Sequence, residues 1–119
     1  MKITIVAIFL GMLLITGCHP ANNDTFYWGD YSSTLYALKK NPSDSTLSVH
    51  KKQVLTVINE SADKKKQVPP GIYAEYGYLL LKNGDEKNGI DYLDKELILY
   101  PESSVFINRL KNEYARGKK

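Results

Sequence analysis

Three apolar stripes at helical spacing, separated by short turns, run through the C-terminal part of the chain and leave little choice of fold. Ile72, Tyr73, Tyr76, Leu79 and Leu80 make the first stripe, Ile90, Leu93 and Leu97 the second, and Phe106, Ile107, Leu110 and Tyr114 the third. Steps of three and four residues put each set on one side of a helix. Asn83-Gly84-Asp85 reads as a helix stop followed by a new N-cap, and Tyr100-Pro101 closes the second helix. Connections this short return the chain antiparallel to itself. No stretch alternates with period two for long enough to compete, so the fold class is all-α, a small antiparallel helical-hairpin array of about four to five helices.

Upstream, Tyr31, Leu35 and Leu38 share one face of a short helix that Asn41-Pro42 must end. A second helix is expected over 46–66, with Ser43 or Asp44 offering an N-cap and Leu47, Val54, Leu55, Ile58 and Ala62 as its apolar stripe. Pro69-Pro70-Gly71 stops it. His50 lies in this helix with no second His or Cys nearby, which makes a structural or exposed histidine the expectation rather than a metal ligand. Lys64-Lys65-Lys66 fits a solvated helix end, where cations offset the macrodipole, although three lysines could also touch anionic lipid headgroups. The cluster Phe26-Tyr27-Trp28-Gly29-Asp30-Tyr31 has two readings as well. It either covers one end of the helical core, or offers Tyr27 and Trp28 to a peptidoglycan sugar or the membrane interface.

The first residues are of another kind. Met1-Lys2 is followed by an almost wholly apolar run from Ile3 to Ile15. A basic start and an apolar run of about 7–15 residues form a secretory signal, whereas a dependable membrane span needs roughly 20 apolar residues. The run leads into Ile15-Thr16-Gly17-Cys18, which resembles the bacterial lipobox. That resemblance implies a diacylglycerol on the Cys18 thiol and cleavage just before it. Cys18 is the only cysteine and abuts the polar run His19-Pro20-Ala21-Asn22-Asn23-Asp24, a poor place for a core thiol. An intrachain disulfide is impossible. The family sorting rule, with His19 rather than Asp after the cysteine, implies an outer-membrane address. Residues 1–17 are thus read as signal peptide, 18–25 as lipidated cysteine and tether, and 26–119 as one helical domain. The seven tether residues from His19 to Thr25 reach at most about 25 Å.

The part spanning 70–115 resembles a tetratricopeptide repeat, a helix–turn–helix unit of about 34 residues. Tyr73, Tyr76, Gly77 and Leu80 match its first helix, Gly84 the turn, Gly89 and Leu93 the second helix, and Pro101 the closing proline. Ile107, Leu110 and Tyr114 each follow Tyr73, Tyr76 and Leu80 by 34 residues. Two positions depart from the pattern: Glu96 replaces a small residue of the second helix, and Lys111 a packing glycine. The resemblance implies a concave face lined by Tyr78 and Lys82 on one helix and Asn108 and Asn112 on the next. These four are the candidate partner-binding residues. A small independent helical bundle is the alternative reading.

As a whole, the lipobox, YWGDYSSTLYALKKNP and GIYAEYGYLLLKNGDEKNGIDYLDKELILYPES resemble a family of small Gram-negative lipoproteins classed as a domain of unknown function. Its members tend to be encoded beside a lipoprotein similar to the curli-secretion channel subunit. The resemblance implies a shared envelope assembly, an envelope protein partner that includes a curli-secretion-type lipoprotein as a candidate, and a membrane contact through the lipid anchor. It implies no activity.

The formal net charge of +3, with both signs interspersed, leaves no electrostatic footprint for nucleic acid. Asp85, Glu86, Asp91, Asp94 and Glu96 are the carboxylates near one another in sequence, but a catalytic pair needs a pocket that raises one pKa. Gly84 to Gly89 lacks the Lys and Ser/Thr of a phosphate loop. The expectation is therefore a non-enzyme without cofactor or metal, lipid-anchored in the outer membrane and facing the periplasm. It would act as a helical protein-interaction adaptor or, alternatively, as an envelope-contact module using the aromatic segment.

Overall fold

A computed structural model describes residues 24–118; the expected signal segment and Cys18 lie outside the described residues. Among the described residues five α-helices follow one another: α1 (Tyr31–Lys40), α2 (Asp44–Asp63), α3 (Ile72–Lys82), α4 (Glu86–Leu99) and α5 (Ser104–Gly117), with a 3₁₀ turn at Pro101–Ser103 before α5. Among the described residues the one strand-like pairing is an isolated parallel bridge between Phe26 and Gln67. The fold is all-α. Consecutive helices pack on one another, and the α3–α4 pair makes the most extensive contact.

The starts of the helices follow from short polar side chains. Ser43 caps α2 by accepting from the Thr46 amide, and the Thr46 hydroxyl accepts in return from the Ser43 amide at 3.0 Å. This capping box satisfies two amides that the first turn leaves free. Asp85 caps α4 through the Asn88 amide. Between α3 and α4 the chain reverses at Gly84, whose φ of +82° is open to glycine at little cost.

α2 ends at Asp63, three residues short of the expected 66, and prolines do not end it. The Lys65 amide bonds the Ala62 carbonyl and the Lys66 amide bonds the Ser61 carbonyl, the Schellman pattern that closes a helix. Lys65 takes the left-handed position, with φ of +53°, where glycine is usual. Pro69 then lies buried in the linker, next to Val68.

The buried face of α2 differs from the stripe expected of it. Val54 and Ile58 are buried as expected, but Leu47 and Ala62 are exposed, and the face is completed by His50, Val57 and Ser61. A count of apolar residues misses the face because two of its members are polar. On α5, Ile107 is buried and Leu110 and Tyr114 are half-buried, while Phe106 is exposed despite its place in the expected stripe. Two core clusters result. Val54, Val57, Ile58, Val68 and Ile72 form one, with Tyr31, Tyr73, Tyr76, Tyr92 and Leu99 against it. Ala74, Leu81, Leu93 and Ile107 form the other, with Ile90, Leu97, Leu110 and Tyr114 against it.

Candidate functional site

α3 is held on two sides, and this decides which of its residues remain available. Gly77 and Gly89 let α3 and α4 meet backbone to backbone. A β-carbon on Gly77 would lie 2.7 Å from the Gly89 carbonyl oxygen, and one on Gly89 would lie 2.6 Å from Leu81 Cδ2. At the start of α3, Gly71 has no side chain to cap the helix. Glu96 of α4 does so instead: its Oε1 accepts from the Gly71 amide at 2.7 Å and its Oε2 from the Ala74 amide at 3.2 Å. Only 2% of Glu96 is exposed. The carboxylate that departs from the tetratricopeptide pattern is thus a helix cap supplied from a neighbouring helix, where negative charge also complements the helix dipole. Lys111, the other departure, pairs with Asp94 across the α4–α5 contact.

With one side of α3 against α4, Tyr78 and Lys82 face α5 across an open groove. A cavity of about 500 Å³ has walls from α3 (Ala74, Glu75, Tyr78) and from α5 (Phe106, Leu110, Glu113). A neighbouring cavity of about 400 Å³ continues it past Leu81 and Lys82 to Tyr114 and Lys118. Its floor of Ala74, Leu81 and Leu110 is apolar, and its ends differ in charge, with Glu75 at one and Lys82 and Lys118 at the other. Glu113 is held by Arg109 at 2.9 Å, and Lys118 pairs with Glu86 while standing over the Tyr114 ring.

Of the four candidate contact residues, the structure brings Tyr78 and Lys82 together on the groove. Asn108 and Asn112 are exposed on α5 but do not line it. They stand two residues either side of Leu110, roughly 200° around the helix, so they occupy the opposite side of α5. Phe106 and Leu110 form that wall instead. Phe106 and Leu110 both belong to the apolar stripe expected of α5, and the spacing of a stripe does not say which of its members stay open to solvent.

A second cluster ties the N-terminal helices to α3. The buried His50 ring, 1% exposed, lies with Nε2 2.9 Å from Glu75 Oε1 and Nδ1 2.8 Å from the Thr34 hydroxyl. Nε2 donates to the Glu75 carboxylate, and the Thr34 hydroxyl lies within hydrogen-bond distance of both Nδ1 and the Tyr31 carbonyl, the latter at 3.0 Å. The Tyr31 hydroxyl donates to Glu75 Oε2 at 2.7 Å. Burial, and then the hydrogen bond and charge of Glu75, push the Tyr31 phenol well above the usual tyrosine range. Tyr73 and Tyr76 are also raised, chiefly by burial and then by Tyr92. His50 is thus a structural histidine whose two nitrogens are taken. Two of the clustered carboxylates of α4 have partners too: Asp91 pairs with Lys87 at 3.8 Å, and Asp85 caps α4.

The aromatic segment folds back on the α2–α3 linker. Phe26 and Tyr27 are half-buried, whereas Trp28 is 43% exposed. Its ring stacks at a tilt on Tyr31, 5.4 Å between centroids, and Tyr31 in turn lies 5.2 Å from the His50 ring.

Residues 25–110 match a protein family described as Domain of unknown function (DUF4810). The chain belongs to the DUF4810 family. The matched segment takes in the aromatic cluster, the His50–Glu75 network, the Gly77–Gly89 contact and Glu96, and it reaches Leu110 on the α5 wall of the groove. No curated protein and no solved structure matches the chain. The DUF4810 match agrees with the expected membership of a family of unknown function.

Proposed function

We propose that this DUF4810 protein is a lipoprotein of the outer membrane, anchored through an acylated Cys18 and facing the periplasm, and that its helices serve as a small adaptor in an envelope assembly. The partner is an envelope protein, for which a curli-secretion-type lipoprotein is the first candidate. The reading calls for binding alone, with no catalysis and no cofactor beyond the covalent lipid.

The observation that carries it is the groove between α3 and α5. An apolar floor flanked by Tyr78 suits an apolar side chain of an incoming segment, because an amphipathic tyrosine offers ring contact and a hydrogen bond together. The carboxylate of Glu75 and the ammonium groups of Lys82 and Lys118 at opposite ends give such a segment a preferred direction. Tyr78 and Lys82 are the proposed contacts within the groove, and Asn108 and Asn112 a second set on the outer side of α5. Lipid anchoring would hold the adaptor beside its partner and raise the effective concentration of a modest site.

A photoreactive residue placed at Tyr78, and separately at Asn112, in cells tests the binding reading. Crosslinking from Tyr78 that is lost on Lys82→Glu supports the groove. Crosslinking from Asn112 alone moves the contact to the outer side of α5, and a crosslink to neither removes the adaptor reading. The anchor is tested on its own: Cys18→Ala should abolish fatty-acid labelling and leave an uncleaved precursor. The second reading, an envelope-contact module, draws on the exposure of Trp28 and predicts that a photoreactive residue there captures envelope material while Tyr78 captures none.

A further inference from the structure

Two features of the sequence that lie on either side of α1 and α2 meet at the end of the molecule where the described chain begins. Phe26 pairs with Gln67 in the parallel bridge. The Lys66 ammonium donates to the Asp24 carbonyl at 2.7 Å, and the Lys64 ammonium stands 5.0 Å over the Tyr27 ring. The Phe26 ring meets Trp28 edge-on at 6.5 Å. The half-exposed tryptophan, two further aromatic rings and three consecutive lysines therefore form one surface. Lys64 is partly neutralised by Glu60 at 2.5 Å; of the other acids, Asp63 adjoins the lysines in sequence and Asp24 approaches Lys66 in space through its carbonyl. Lys65 is exposed and has no ion pair among the described residues, and its backbone holds the left-handed conformation that glycine would adopt without strain. A strained residue that keeps a cation pointing into solvent invites a functional explanation.

We propose that this surface seats the domain on an anionic lipid membrane beside the anchor, a proposal that rests on the lipid-anchored reading above. Three physical arguments favour a lipid surface. Tryptophan and tyrosine prefer the headgroup level, where an apolar ring and a polar edge are both satisfied. Lysines near an anionic surface are attracted to it over about a Debye length. The third is reach: Cys18 precedes Asp24 by six residues, so even a fully extended tether holds this end within about 20 Å of the acylated thiol. An acyl anchor gains durability from a basic patch. Seating also sets the height of the groove, because Tyr31 stacks on Trp28 and bonds Glu75 at the acidic end of the groove.

Trp28 is the only tryptophan in the chain, so its fluorescence reports on this surface alone. The acylated full-length protein is reconstituted on vesicles of phosphatidylethanolamine, or of an equal mixture of phosphatidylethanolamine and phosphatidylglycerol, with acyl chains brominated near the headgroup. The proposal expects Trp28 to be quenched on the mixed vesicles, and the quenching to fall with salt. It should drop to the level of the uncharged vesicles when Lys64, Lys65 and Lys66 are all changed to Glu. Lys65→Gly serves as a second variant, since it removes a cation while relieving strain; it should weaken quenching in a protein that melts no earlier. Flotation with the vesicles but no quenching of Trp28 overturns the seating while leaving the anchor intact. Failure to float overturns the anchor and the seating with it. Sedimentation with purified sacculi that needs Trp28 but not the lysines would assign the surface to peptidoglycan and overturn the lipid assignment.

Discussion

Where α2 meets its neighbours, Thr34 and Tyr31 of α1 and Glu75 of α3 reach the His50 ring and one another through hydroxyls, ring nitrogens and a carboxylate. Where α3 meets α4, the backbone of Gly77 lies against that of Gly89, with no room for a β-carbon. One contact is made by direction and the other by proximity. A directed contact loses roughly 1 kcal/mol net per hydrogen bond, and more when a buried partner is stranded. A close contact fails by volume instead, and overpacking of about 1–3 kcal/mol follows from a few added methylenes. The two regions should therefore respond differently to substitution.

The largest effect is expected at the close contact. Gly77→Leu should cost about 3 kcal/mol, the upper part of the overpacking range, read as a lowered urea midpoint. A variant that unfolds like the parent would mean that α3 and α4 are not in this register. Next comes the cap that joins the same two helices. Glu96→Ala leaves the part-buried Gly71 amide and the buried Ala74 amide without their acceptor and should cost about 2 kcal/mol, whereas Glu96→Gln keeps an acceptor and should recover part of it. Equal losses for the two variants would show that burial of the side chain, and not its acceptor oxygens, is what matters.

In the directed contact, Tyr31→Phe should cost about 1 kcal/mol at neutral pH. Its pH dependence is the sharper test. The folded protein holds the Tyr31 proton more tightly than the unfolded chain, whose tyrosines titrate near 10.0. That contribution is whole below pH 10 and is lost as the pH rises above it. The denaturation midpoint should fall on the alkaline side, and fall less steeply in Tyr31→Phe; identical slopes would leave Tyr31 with no part in it. The smallest effect has the opposite sign. Among the described residues the fully buried Ser61 hydroxyl has no hydrogen-bond partner, so Ser61→Ala should stabilise the fold by about 0.5 kcal/mol. A loss of stability would mean that the hydroxyl is satisfied in solution, for instance by a buried water.

These regions also differed in how far they could be read from the chain. The α3–α4 hairpin was legible because its signals are local or at a fixed repeat: Asn83-Gly84-Asp85, Pro101, and two glycines at spacings that a known repeat supplies. The face of α2 was not. His50 and Ser61 occupy core positions, and the partners of His50 lie 16 and 25 residues away. Nothing near His50 in the sequence marks it as satisfied. Glu96 was hidden for the same reason, since a carboxylate in a helix reads as solvated until the amides it caps, 22 and 25 residues back, are brought to it. The end of α2 was displaced because a lysine takes a conformation normally left to glycine. Half of the candidate site was legible: the repeat register located Tyr78 and Lys82 on the groove, but the opposite wall depends on how α5 is rotated about Ile107.

The cap from Glu96 also bears on the order in which the helices acquire structure. Gly71 cannot cap α3 with its own side chain, and an isolated helix of this length is marginal in water. The missing acceptor sits on α4, so the first turn of α3 is secured only when the two helices have docked. α3 and α4 then gain and lose structure as one cooperative unit. The Gly71 and Ala74 amides, although they sit at a helix end where fraying is the rule, should exchange with solvent as slowly as the middle of the hairpin.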